Sequence, residues 1–294
     1  MIYLLLSILS SALLIILFKL FDRFEVKTSH AIVINYWIAA FLSFGLDDSG
    51  LHIAKAINQP WFFSALILGS LFIVSFNVIG VSTIKIGISV TSVANKMSLI
   101  IPVLFSILFI NDELNAIKIA GIFIALVAVY FTTRKDDERV IDKKYAAYPL
   151  IVFLFSGFID SFFKYNEVYT LGENGLKPFL SWIFLTAGAI GLVTLILDKI
   201  NQKQLPNSKA WVAGFILGIP NYFSIYFLLK AISIPNIEGS VIFPVNNMAI
   251  VAVTALSGIF IFKEKMSKVN LYGILLCIIA IGMIAFSEEM MFLF

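Results

Sequence analysis

The chain has 294 residues, of which 60% are apolar or aromatic and 13% are charged, against about 45–50% and about 25% in soluble domains. That composition excludes an ordinary soluble domain, and a net charge of +3 excludes the broad basic field that nucleic-acid binding needs. One cysteine and two histidines supply neither a disulfide framework nor a His-rich metal site.

Apolar windows of membrane-spanning length succeed one another along the chain. The first, at 2–21, has no basic leader and no small-x-small cleavage pattern, so it reads as a span rather than a secretory signal. Spans follow at 29–46, 60–81, 88–110 and 115–133. The separators Asp47-Asp48-Ser49-Gly50 and Asn111-Asp112-Glu113 are polar turn sequences that would not lie in hydrocarbon. The stretch Arg134 to Lys144 (RKDDERVIDKK) holds nine charges in eleven residues near the middle of the chain, which marks 134–145 as a linker. Beyond it come spans at 146–166, 176–197, 210–230, 239–262 and 269–287, separated by turns such as Gly172-Glu173-Asn174-Gly175 and Leu205-Pro206-Asn207-Ser208. The expected fold is an all-α integral membrane protein of ten transmembrane helices.

The two halves, 1–133 and 146–294, repeat one another. At a shift of 152 residues the run Gly87 to Asn95 lies on Gly239 to Asn247, Asp112 on Glu264 and Gly121 on Gly273. At 145, Phe18-Lys19 lies on Phe163-Lys164 and Trp37 on Trp182, and at 149, Ile67-Leu68-Gly69 lies on Ile216-Leu217-Gly218. Five spans per half is an odd number, so the second half enters the membrane from the opposite side. A 5+5 inverted repeat is the construction that allows alternating access around a midplane site.

These landmarks resemble those of the drug/metabolite transporter superfamily, in particular its EamA-type ten-helix members. The Phe-Lys at the end of each first span, the small and polar runs Gly87 to Asn95 and Gly239 to Asn247, and the Phe262-Lys263-Glu264 to Gly273 stretch carry the likeness, which covers essentially the whole chain. The first copy differs in having Asn111-Asp112-Glu113 where the family more usually shows Gly-Glu. The resemblance implies a transporter whose spans 1, 3, 4, 6, 8 and 9 line a cavity. It leaves the substrate open among amino acids, sugars, nucleosides, phosphorylated metabolites and xenobiotics.

Ionisable groups inside hydrocarbon cost a few kcal/mol on insertion scales and mark functional positions. Lys96 lies about 12 Å into its span at 1.5 Å per residue, close to the midplane, where it is too deep to snorkel out. Ser92 and Asn95 share its helix face. Asp160 precedes Lys164 by four residues, a spacing that allows a local ion pair. The repeat singles out two charges, because Lys96 faces Met248 and Asp160 faces Ile15 in the other copy. Asp160 is therefore also a candidate carrier of a coupling proton. Asn95 and Asn247 form a symmetric pair, with Asn246 and Pro244 making the second copy more polar. Asn77 and the Pro220-Asn221-Tyr222 run would add polar and aromatic wall to the cavity that the resemblance implies.

The expected function is secondary active transport of a small polar or amphipathic metabolite across the cytoplasmic (inner) cell membrane, coupled to protons or to exchange. No cofactor, metal or nucleic-acid partner is expected. A membrane-embedded enzyme is the first alternative, but no P-loop and no Gly-x-Ser-x-Gly accompanies the spans. A non-transporting scaffold is the second. Basic residues give an orientation opposed to that of the resemblance. The loops on the side of the termini hold only Lys55, Lys118, Lys177 and Lys230, which by the positive-inside rule puts the termini outside, whereas the resemblance implies cytoplasmic termini.

Overall fold

The computed structural model describes residues 2–46, 53–85, 88–112, 115–133, 145–172, 175–202, 205–234, 239–262 and 267–286. The charged segment 134–144 lies outside the described residues. Among those described there is no strand. The helices are α1 (Ile2–Arg23), α2 (Thr28–Gly45), α3 (Ile53–Ile57), α4 (Phe62–Lys85), α5 (Ile88–Met97) and α6 (Ile100–Ile110), then α7 (Ala116–Thr133), α8 (Tyr148–Tyr169), α9 (Leu176–Gln202), α10 (Ser208–Ile232), α11 (Gly239–Phe260) and α12 (Lys268–Ala285). Among the described residues five stretches are long and apolar enough to cross a membrane: Phe62–Ile79, Leu176–Leu197, Ser208–Ile232, Ser240–Gly258 and Lys268–Ala285. Ile2–Phe18, Ala94–Ile110 and Ala116–Phe131 are shorter apolar helices. In hydrocarbon a helix is the one open-chain way to satisfy every backbone group, which is why such sequences have no alternative.

Polar residues terminate the helices. Asn207 accepts the Ala210 N–H and caps α10. Asn111 takes the left-handed conformation at φ 63° and ends α6, its N–H donating to the Ser106 carbonyl, a position asparagine tolerates better than other non-glycine residues. Ser267 and Asn270 form a capping box at α12. The Asn270 Nδ2 also donates to the Phe131 carbonyl at 3.0 Å, tying the start of α12 to the end of α7. Asn270→Ala removes the side-chain bonds to Ser267 and to the Phe131 carbonyl and is expected to lower stability by about 1–2 kcal/mol. Thermal unfolding in detergent measures this, and an unshifted midpoint would show the box to be dispensable.

The stretch expected as one span at 88–110 is interrupted between α5 and α6. Leu99 N donates to the Lys96 carbonyl at 3.3 Å and Ile101 N to the Ser98 carbonyl at 2.9 Å, both i to i−3. The Ser98 hydroxyl meanwhile donates to the Asn95 carbonyl. Pro102 lacks an N–H of its own. The result is a tight 3₁₀-like turn inside an otherwise α-helical segment, a feature associated with hinges.

The described residues form two compact units, Met1–Val74 with Tyr165–Ser233 and Ser75–Lys164 with Ile234–Phe294. Each unit draws helices from both sides of the linker, so compactness divides the chain differently from the repeat in its sequence. In the first unit α2 runs parallel to α10, with Gly214 against Ile34 and Gly218 against Ile38. It runs antiparallel to α9, where Trp37 Nε1 donates to the Gly188 carbonyl at 3.1 Å and Ser43 and Ser181 share a 2.8 Å hydroxyl bond. A side chain at 188 would meet the Trp37 ring at 3.2 Å, so glycine is what lets the indole reach that carbonyl. α1 lies antiparallel to α10, with Ser7 bonded to the Ser224 carbonyl and Tyr3 stacked on Phe227. The first part of α4 runs parallel to α9 through Trp61 on Phe179, Phe62 on Trp182 and Gly69 at Ile183 and Thr186.

In the second unit α7 and α12 are antiparallel, Gly121 meeting Ile284 at one end and Phe131 meeting Asn270 at the other. α11 packs on α6, α7 and α12, and α5 packs on α7. The core there is closed by Leu99, Val103, Val129, Ile242, Phe243, Met248 and Cys277, all buried.

Candidate functional site

The second unit contains a charged cluster built from three of its helices. Lys96 stands in the last turn of α5, immediately before the 3₁₀-like turn. A cation is favoured there by the partial negative charge of the helix C-terminus. Its Nζ donates to Asn247 Oδ1 on α11 at 3.2 Å. The Asn247 side chain also hydrogen-bonds the carboxylate of Asp160 on α8, and Asp160 is close enough to Lys96 for direct electrostatic attraction. The amide of Asn247 thus accepts from the cation with its oxygen and donates to the anion with its nitrogen, using both ends of one side chain.

Local sequence explains each position. Asn247 follows Pro244 by three residues within α11, and proline removes one rung of the helix ladder beside it. Asp160 follows Gly157, where any side chain would overlap that of Ile101 on α6. Glycine at 157 therefore brings α8 close to α6 and carries Asp160, three residues on, towards the α5/α6 junction. All three residues of the cluster are partly buried. Hydrogen bonds with a charged partner are worth about 1.5–3 kcal/mol, so the cluster is strong enough to hold its three helices in register.

The other expected site residues are distributed as follows. Asn95 is partly buried on α5 beside Lys96. Ser92 lies on the same helix, its side chain outside the described residues. On the same face of α5, Thr91 bonds Ser82 of α4 at 2.7 Å, hydroxyl to hydroxyl. Asn246 is 5% exposed, and its Oδ1 has no hydrogen-bond partner among the described residues. An unmet buried acceptor costs about 1–3 kcal/mol. Asn77, on α4, is exposed. Tyr222 belongs to the first unit, where it is 1% exposed, stacks with Tyr226 and meets the Phe184 ring at a tilt. Its neighbour Asn221 is also buried there, and its Nδ2 has no hydrogen-bond partner among the described residues.

The four lysines assigned to loops on the side of the termini, Lys55, Lys118, Lys177 and Lys230, all stand within helices, and Lys118 is the one among them that is buried. Lys118 is 1% exposed within α7. Its Nζ donates to Ser240 Oγ at 3.4 Å, while the Ser240 N–H, at the start of α11, donates to Asp112 Oδ2 at 2.8 Å. Asn115 Oδ1 accepts the Lys118 N–H at 2.7 Å. This second polar cluster joins the α6/α7 connection to α11. The only signal for it in the sequence is an acid and a base either side of a turn, which a loop reading accommodates equally well.

No family model matches the chain. An uncharacterised protein of Haemophilus influenzae is similar to it, 27% identical over 286 residues that cover 94% of each chain. A solved crystal structure shares the fold, with a TM-score of 0.76 over 98% of both chains at 13% identity. That likeness extends to the fold alone.

Proposed function

We propose that the protein is a ten-span secondary transporter of the drug/metabolite type, with an EamA-like 5+5 inverted repeat, embedded in the inner cell membrane. It moves a small polar or amphipathic metabolite, and Lys96 receives an anionic group of that metabolite. The observation that carries this reading is the meeting of Lys96, Asn247 and Asp160 from three helices. It unites the two charges that have no counterpart in the repeat with one member of the symmetric Asn pair. Buried charges with no architectural reason for their position are what a binding site in a membrane requires.

Helix direction supports the span count. Taking α5 and α6 as one crossing and leaving out the short α3 gives ten. Alternate crossings then run in opposite directions, so spans 2 and 8, or 3 and 7, should be parallel, and spans 1 and 8, 2 and 7, or 5 and 10 antiparallel. The five pairings described above, α2 with α10, α4 with α9, α1 with α10, α2 with α9 and α7 with α12, agree with that parity. Under a shift of five spans the pairing 2–8 also becomes 7–3, and 5–10 becomes itself, as an inverted repeat demands.

The test is a thermal-stability screen of the purified chain against metabolite classes, followed by flux of the best labelled compound into proteoliposomes. A ligand at 100 times its Kd should stabilise the parent by about 2.7 kcal/mol and leave Lys96→Ala unmoved. Flux should fall with binding. Unchanged kinetics in Lys96→Ala would remove Lys96 from the mechanism.

A further inference from the structure

We propose that Asp160 is the resident counter-ion of Lys96, held in register by Asn247, and that a carboxylate-bearing ligand displaces it only as Asp160 takes up a proton, so that one proton enters the site with each anion. This rests on the transport reading and adds to it the chemical class of the ligand and the stoichiometry of its coupling. Three observations carry it. Lys96 and Asn247 are joined at 3.2 Å, and the same Asn247 side chain holds Asp160. The helices beside Asp160 offer no substitute, since α6 and α11 contain no ionisable residue and α5 contributes Lys96 alone. On its own helix the nearest charge is Lys164, buried one turn on.

The three residues Lys96, Asn247 and Asp160 carry one positive and one negative charge between them, with Lys164 one turn along α8. A ligand carboxylate added to these three would leave two anions against one cation, and uptake of a proton by Asp160 restores the balance. The proton comes from a hydronium ion of the bulk solvent, which is left as water, and goes to an Asp160 carboxylate oxygen, with no change to any bond of the ligand. Lys96, at the end of α5 and beside the 3₁₀-like turn, then changes partner at a point where the helix can bend.

Acetate, which duplicates the aspartate side-chain group, is the probe. In the full purified chain, Asp160→Ala leaves Lys96 without its counter-ion and opens the space of one carboxylate. Acetate should raise the melting temperature of Asp160→Ala in a saturable way, and should not do so for Asp160→Ala/Lys96→Gln. In the parent, acetate affinity should rise about tenfold for each unit of pH lowered, the slope of one linked proton, while Asp160→Ala and the conservative Asp160→Asn stay flat. Equal acetate responses in all variants, or a pH slope that survives in Asp160→Asn, would overturn the proposal. Acetate rescue without Lys96-dependent flux in proteoliposomes would sink the transport reading and leave the counter-ion exchange standing. Lys96-dependent flux with pH-independent binding in the parent would do the reverse.

Discussion

Lys96→Gln should lower the stability of the detergent-solubilised protein by about 3 kcal/mol, at the low end of the range for breaking a buried ion pair because the groups are only partly buried. The loss comes mainly from what is left behind. Asp160 loses the cation that offsets its desolvation, and Asn247 Oδ1 loses its donor. Asp160→Asn should cost a similar amount for the mirrored reason. The double variant Lys96→Gln/Asp160→Asn carries no charge in the cluster, and its amides can bond one another and Asn247. It should be more stable than the sum of the single changes by about 0.5–3 kcal/mol, the range of coupling between residues in one network. Asn247→Leu has the same shape of consequence by another route, since it removes the bridge and leaves both charges to face each other without it. Unfolding midpoints of the four proteins close the cycle. Additivity to within about 0.5 kcal/mol would mean that Lys96 and Asp160 do not act on one another.

Much of this arrangement was legible in the sequence, and the limits have physical causes. Membrane helices announce themselves by composition, because hydrocarbon permits so few structures, and α9, α10, α11 and α12 lie close to the windows read for them. Lys96, Asp160 and Asn247 were legible as candidates because a polar residue in an apolar run is conspicuous. What could not be read was their meeting, since they stand 64 and 87 residues apart along the chain and nothing local relates α5 to α8 or α11. The spacing of Asp160 and Lys164 allows a local pair, but nothing in that spacing shows that Asp160 also meets Lys96 of α5 and Asn247 of α11. The interruption between α5 and α6 was also hidden, because its cause is a serine hydroxyl bonding backward and one proline in an otherwise uniform apolar stretch. The burial of Lys118 is hidden in the sequence for the opposite reason. A lysine three residues into a helix after a polar turn has every appearance of a surface residue, and only the approach of α11, with Ser240 at its start, buries it.

Gly214→Ala should lower the unfolding midpoint substantially, although alanine is the better helix former. A methyl group at 214 would stand 2.5 Å from Ile34 Cβ and 2.8 Å from the Ala31 carbonyl oxygen. The first contact is with the base of a branched side chain and the second is with backbone, so neither can turn aside. The parallel helices α2 and α10 must separate, and overpacking of this kind costs about 1–3 kcal/mol. The same change at Gly218 meets Ile38 Cβ at 2.6 Å and the Asn35 carbonyl at 3.0 Å, so the two glycines, four residues apart, form one seam. Gly282 supplies the control, because a methyl there, within α12, would meet nothing within 4 Å. Gly282→Ala should stabilise the protein by about 0.8–1.0 kcal/mol through helix propensity alone. Trimming the neighbour should help only in part, since Ile34→Ala relieves the side-chain overlap at 214 and leaves the Ala31 carbonyl where it is. The seam also bears on ligand handling, because Asn221 and Tyr222 follow Gly218 by less than one and a half turns, and their burial depends on α10 keeping its distance from α2. A Gly214→Ala protein as stable as the parent would show that α2 and α10 do not approach this closely, and with that the tight seam between the two helices would have to be abandoned.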